Sequence, residues 1–299
     1  MQGILYSNHG TSTHPSLDYP QSHAWFGSDT QELYKSNVRF FSKLKSPTVS
    51  WVQPSIDYTF NNVGMRVSRN DYYDITDDYD FSDKIVILGC SQIQGIGISY
   101  EHTLGECLSK LLVKQVINWG VGGCGPDAVF HNAMWLATRE RLPLKVIVFW
   151  PQPTRFIFDN PETNLTHYMV PPHAWEDIAK YYKKPMLTGD LPEARFKKYR
   201  DVLKNVFKER LHESYIHSSM EYRTNDDLPY YDSLKNSIDD NISLDELLRL
   251  HYARDIYRFP DFNKRKGITS NKELHGLIGS HQGYIPNKLL AEYVYAKIN

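Results

Sequence analysis

Gly89-Cys90-Ser91-Gln92-Ile93-Gln94-Gly95-Ile96-Gly97 sets a serine between an apolar run and a glycine-rich turn. A serine so placed holds its hydroxyl above the end of a strand, beside a helix amino terminus whose backbone N–H groups can stabilise an oxyanion. Acyl transfer needs that geometry, although a serine there also serves simply to cap the following helix. Spacing sets two phosphate-binding readings aside: the stretch is not Gly-x-Gly-x-x-Gly, and no Gly-Lys-Ser/Thr follows it. Cys90 and Cys124 each follow a strand-like run, but no Cys-x-x-Cys or His-x-x-x-His spacing accompanies them. They read as small residues filling space beside loops rather than as metal ligands or a redox pair.

The elements that must position Ser91 begin with Lys84–Gly89, a continuous apolar run closed by glycine, as in a central parallel strand covered on both faces. Thr103-Leu104-Gly105-Glu106 has capping-box spacing, and Leu104, Cys107, Leu108, Leu111 and Leu112 then fall on one helical face. The pattern repeats: Gln115–Trp119 reads as a second strand running into Gly120-Val121-Gly122-Gly123-Cys124-Gly125, and Pro126 suits the first turn of the next helix. Val146–Trp150 is a third strand, stopped by Pro151. Alternating strands and helices imply right-handed crossovers and a parallel sheet, whose ligands sit at the carboxyl ends of the strands. The expected fold is α/β, a three-layer α/β/α sandwich with a mainly parallel sheet. Beyond it, an amphipathic helix is expected from about Pro192 to His212, another from Ser243 through Leu250, and a last one from about Pro286 to Ile298. Residues 1–80, rich in Ser, Thr, Asn, His, Tyr and Pro, read as an irregular extension with one helix near Gln31–Leu44. Residues 81–299 read as the main domain, with an insertion at about 159–242 that shapes a cleft.

Here the chain resembles the SGNH (GDSL-like) hydrolases, whose fold is flavodoxin-like. The Ser91 stretch is similar to that family's first block, and Asn61-Asn62-Val63-Gly64-Met65-Arg66 to a segment that precedes the block in one branch. Asn118-Trp119-Gly120-Val121-Gly122-Gly123 resembles the second block, and Ser280-His281-Gln282-Gly283-Tyr284-Ile285-Pro286 the last one. The resemblance spans about residues 58–155 and 250–298. It implies Ser91 as nucleophile, His281 as general base, and an oxyanion hole made by the N–H groups of Ser91 and Gly123. Some family markers are altered. Cys90 takes the place of an aspartate, and Trp150-Pro151-Gln152-Pro153-Thr154-Arg155 replaces the block that carries an oxyanion asparagine. Gln152 is the residue there with an equivalent amide. Ile278 stands where an aspartate three residues before the histidine is usual; Asp255 is then the candidate orienting carboxylate, with Asp261 second.

The resemblance implies no metal and no organic cofactor. It implies an ester substrate, a small molecule or a glycan carrying O-acetyl groups, with transfer to a sugar and a non-catalytic module binding glycan or protein left as alternatives. The whole chain has 299 residues, 41% of them hydrophobic, and 34 basic against 35 acidic side chains. That balance argues against nucleic acid as a partner. No apolar stretch approaches the roughly 20 residues needed to cross a bilayer, and no leader-like amino terminus is present, so no membrane partner and a cytoplasmic location are expected. Three cysteines fit a reducing compartment. The sequence sets no oligomeric state.

Overall fold

A computed structural model describes residues 21–27, 29–41, 56–153, 155–160, 165–169, 191–214, 233, 236, 257–258, 278–279 and 281–299. Along the chain run β1 (Gln21–His23), α1 (Gln31–Phe41), β2 (Tyr58–Phe60), β3 (Arg66–Val67), β4 (Ile85–Gly89) and the single turn α2 (Ser91–Gln94). Then come α3 (Leu104–Leu112), β5 (Val116–Gly120), α4 (Pro126–Ala137), β6 (Lys145–Phe149), β7 (Phe156–Asn160) and β8 (Leu165–Met169). The last are α5 (Leu191–Phe207), β9 (Leu211–Ser214), β10 (Tyr257–Arg258), β11 (Ile278–Gly279) and α6 (Tyr284–Ile298). They fall into two compact units. The first holds the described residues of Met1–Gln21, Thr59–Gln94 and Val113–Thr224, and the second those of Ser22–Tyr58, Gly95–Leu112 and Asn225–Asn299.

The first unit is built on a four-stranded sheet in the order β5-β4-β6-β9, with every neighbouring pair parallel. Gly89 faces Gly120 across β4 and β5, and Leu88 faces Val148 across β4 and β6. Val86, Leu88, Ile117, Trp119, Val146 and Val148 on one face join Ala128, Val129, Ala133 and Leu136 of α4 and Phe196, Leu203 and Phe207 of α5 in one buried core. Trp119 meets Trp135 edge-on with ring centroids 5.4 Å apart. Ile85, Ile87, Ile147 and Phe149 on the opposite face are buried too. A sheet dry on both faces explains why its strands read as unbroken apolar runs rather than alternating ones. The chain is therefore α/β with a parallel sheet, as expected, and accords with a three-layer arrangement.

Two boundaries differ from the sequence expectation. The helix expected to reach His212 ends at Phe207; Lys208, at φ +50°, turns the chain, and Leu211–Ser214 becomes an edge strand of the sheet. Its sequence, Leu-His-Glu-Ser, has one apolar residue, so the amphipathic pattern of α5 ran into it unmarked. Residues 1–80, read as irregular, carry α1 near its expected place and also a hairpin of β2 and β3, with Phe60 facing Arg66. Strands of three and two residues are too short to show a period of two.

In the second unit α3 packs on α6, burying Leu104 and Leu108 against Leu290, Ala291 and Val294. Thr103 caps α3 as its spacing indicated: its hydroxyl accepts the Glu106 N–H at 3.3 Å and its carbonyl the Cys107 N–H at 2.9 Å. Tyr58 donates to Asp29 at 2.6 Å and accepts the Gly97 N–H at 2.7 Å. The helix expected from Ser243 and most of the 159–242 segment lie outside the described residues. No described helix is long and apolar enough to cross a membrane.

Candidate active site

Ser91 is the first residue of α2, two residues beyond the Gly89 that ends β4. The Cys90 carbonyl accepts the N–H groups of Ile93 at 3.0 Å and Gln94 at 3.1 Å, which closes the turn and leaves Ser91 half-buried at its amino end. Because β4 lies between β5 and β6, the loops leaving all three strands emerge at one edge of the sheet. That edge is where open parallel sheets bind ligands.

The loop after β5 is held against the serine turn by close packing and by one side chain. A Cβ on Gly120 would fall 2.1 Å from the Gln94 nitrogen and 2.6 Å from its Cα, so only glycine admits this approach. Asn118, fully buried, donates from Nδ2 to the Ile93 carbonyl at 2.7 Å and accepts the Gly120 N–H on Oδ1 at 3.2 Å. The Val121 N–H donates to the Gly89 carbonyl at 2.9 Å. Gly123 turns the loop with φ +74°, in the left-handed region that glycine enters without strain. Cys124 is buried with Sγ 3.5 Å from the Gly89 carbonyl, and burial pushes its thiol well above the usual value of 9.0. Cys90 is buried as well. Among the described residues no group of three or more His, Cys, Asp or Glu side chains could hold a metal.

The loop after β6 is the third wall. Trp150 is fully buried, and its indole N–H is engaged by Glu213 at 3.0 Å, a carboxylate that also takes Arg200 at 3.0 Å. Gln152 is half-buried, and its carbonyl accepts the Arg155 N–H at 3.0 Å. Arg195 of α5 donates to the carbonyls of Pro153 at 2.9 Å and Arg155 at 3.1 Å, and pairs with Asp127 at 3.4 Å. Tyr199 donates to the same Asp127 carboxylate at 2.7 Å.

Ser91, Gly123 and Gln152 thus stand on three adjacent strand-end loops of one unit. His281 belongs to the second unit, half-buried, three residues before the first residue of α6. The start of that helix is fixed within its unit by Asn287 Nδ2, which donates to the His102 carbonyl at 3.1 Å, and by Tyr284, whose ring lies 4.5 Å from the His102 ring. Burial holds His102 below its ordinary value of 6.5. Asp255 and Asp261 lie outside the described residues. Two supports were quoted in the sequence without a role: Asn118, and the fully buried Arg66, whose Nη1 donates to the Gln94 carbonyl at 3.1 Å and so satisfies the end of α2. Polar residues inside otherwise apolar strands were the signal that could have marked them.

No family model and no curated protein matches the chain. Among solved structures it is similar to an acetyl xylan esterase from the rumen bacterium Butyrivibrio proteoclasticus, at 15% identity and a TM-score of 0.25. The match covers 50% of this chain and 59% of that one, so the chain spans less than two thirds of that structure.

Proposed function

We propose that the chain is a carboxylic ester hydrolase of the SGNH type working through a serine acyl-enzyme, with O-acetylated carbohydrate as the substrate class. The observation that carries this is the Ser91 turn: a serine opening a helical turn after a central parallel strand, with the glycine loop of the next strand bonded to the residue two before it. In this reading Ser91 Oγ attacks the ester carbonyl while His281 takes its proton, oriented by Asp255. The N–H groups of Ser91 and Gly123 and the Gln152 amide receive the oxyanion. His281 then returns the proton to the leaving alcohol, and water repeats the sequence on the acyl-enzyme.

The altered third loop, which has no asparagine, favours a second reading: a non-catalytic module on the same scaffold, binding glycan or protein. Labelling with a fluorophosphonate probe, together with hydrolysis of 4-nitrophenyl acetate, separates the two. Wild type is expected to be labelled and to turn over the ester, with Ser91→Ala and His281→Ala each losing a thousandfold or more, on the order seen when members of a triad are removed. Gln152→Ala is expected to lower kcat by about 10²–10³ if its amide is an oxyanion donor. Folded wild type that takes up no probe and hydrolyses nothing would leave the binding module.

A further inference from the structure

Arg155 is placed by contacts that do not use its side chain. Its backbone is packed so closely on Gly125 that a Cβ there would come within 2.6 Å of the Arg155 carbonyl oxygen. That carbonyl is held by Arg195, and the Arg155 N–H by Gln152. The guanidinium itself is left over. Nε is buried with no hydrogen-bond partner, and among the described residues Arg155 forms no ion pair. Its neighbours do not share this state: Arg195, also unbonded at Nε, is neutralised by Asp127, and Arg139 meets Asp77 at 3.4 Å and stacks 3.5 Å from the Trp135 centroid. Asp127, whose charge like that of Arg155 reaches Cys124, is taken by Arg195 and Tyr199. Arg155 thus brings to the loop after β6, beside the glycine loop, a half-buried cation with no carboxylate partner among the described residues, and its charge lowers the pKa of the Cys124 thiol against the effect of burial.

A guanidinium without an acceptor is a planar fork of donors suited to an oxyanion. We infer that the substrate of the Ser91 site carries an anionic group, a carboxylate or sulfate, that is received by Arg155. For the ester this rests on the hydrolase reading above; for the anion it rests on Arg155 alone. A glycan bearing acidic sugars has both groups.

The test compares esters that differ in charge: 4-acetoxybenzoate, 4-acetoxyphenyl sulfate and the neutral methyl 4-acetoxybenzoate, each with wild type, Arg155→Gln and Arg155→Lys. Wild type is expected to favour at least one anionic ester in kcat/KM by about tenfold or more, the range of a hydrogen bond to a charged group. The sulfate and carboxylate arms show which anion fits. Arg155→Gln is expected to bring that ratio close to one through KM, and Arg155→Lys to restore part of it. An anionic preference that survives Arg155→Gln, or none in wild type, overturns the proposal. If no ester is hydrolysed, calorimetric titration with galacturonate and galactose decides instead. Binding of galacturonate but not galactose, lost in Arg155→Gln, upholds the anion site while the hydrolase reading fails, and absence of such binding to wild type ends both.

Discussion

Asn118 satisfies two buried backbone groups with one side chain, the Ile93 carbonyl in the serine turn and the Gly120 N–H in the glycine loop. Replacing it by alanine strands both in a dry region, and each unmet buried group costs about 1–3 kcal/mol. Asn118→Ala is therefore expected to lower the free energy of unfolding by about 2–4 kcal/mol, read from urea midpoints at an unchanged m-value. A shift within the few tenths typical of surface sites would mean that water replaces the amide. At this scale the sequence was legible where chemistry and backbone geometry demand a particular residue. Ser91 follows an apolar run and is followed by glycines, and the structure puts it at the amino end of a helical turn. Asn118 and Arg66 were less legible, because a buried polar residue declares its partner only when the partner's carbonyl is in view. Arg155 was visible only as one more residue in an altered block; what distinguishes it is a buried Nε with no acceptor among the described residues, which no sequence pattern records.

Between elements, the contact that sets the site is the approach of α2 to the end of β5. Gly120 and Gly123 share a loop but are required for different reasons: at Gly120 the obstacle to a methyl group is the backbone of Gln94, and at Gly123 it is φ +74°. Holding a non-glycine residue in the left-handed region costs about 1–3 kcal/mol. A methyl on Gly120 cannot be relieved by a side-chain rotation, since its nearest neighbours are all main-chain atoms. Gly120→Ala is expected to cost about 3 kcal/mol or more, beyond the usual overpacking range, and to destabilise more than Gly123→Ala in parallel thermal melts. Equal melting temperatures would show that β5 and α2 slide apart freely. Elements were legible in proportion to their burial. The strands β4, β5 and β6 declared themselves as apolar runs, and Thr103 and Pro126 marked helix starts that the structure keeps. The edge strand β9 did not, because half-buried positions filled by His212 and Glu213 give neither an apolar run nor a clean alternation.

At the scale of the molecule, the chain leaves the first unit at Gln94, contributes Gly95–Leu112 to the second, and returns at Val113 to form β5 beside β4. Two neighbouring strands are thus joined by a connection that belongs to the other unit. Unfolding the second unit alone would leave that connection as a loose loop, and its entropy would weigh against the pairing of β4 with β5. The cysteines report on this without any added label. Cys90 and Cys124 lie in the first unit and Cys107 in the second, exposed by 4%, 0% and 8%. Burial raises the Cys107 thiol to about 11 and the Cys124 thiol well above its usual value, so in the folded protein neither supplies much of the reactive thiolate. Alkylation at rising urea, resolved by peptide mass spectrometry, is expected to modify Cys107 and Cys124 with one shared midpoint, because the crossover couples the units into a single cooperative transition. Two midpoints, with Cys107 exposed while Cys124 stays protected, would show that the parallel sheet with its serine turn stands without the unit that carries His281.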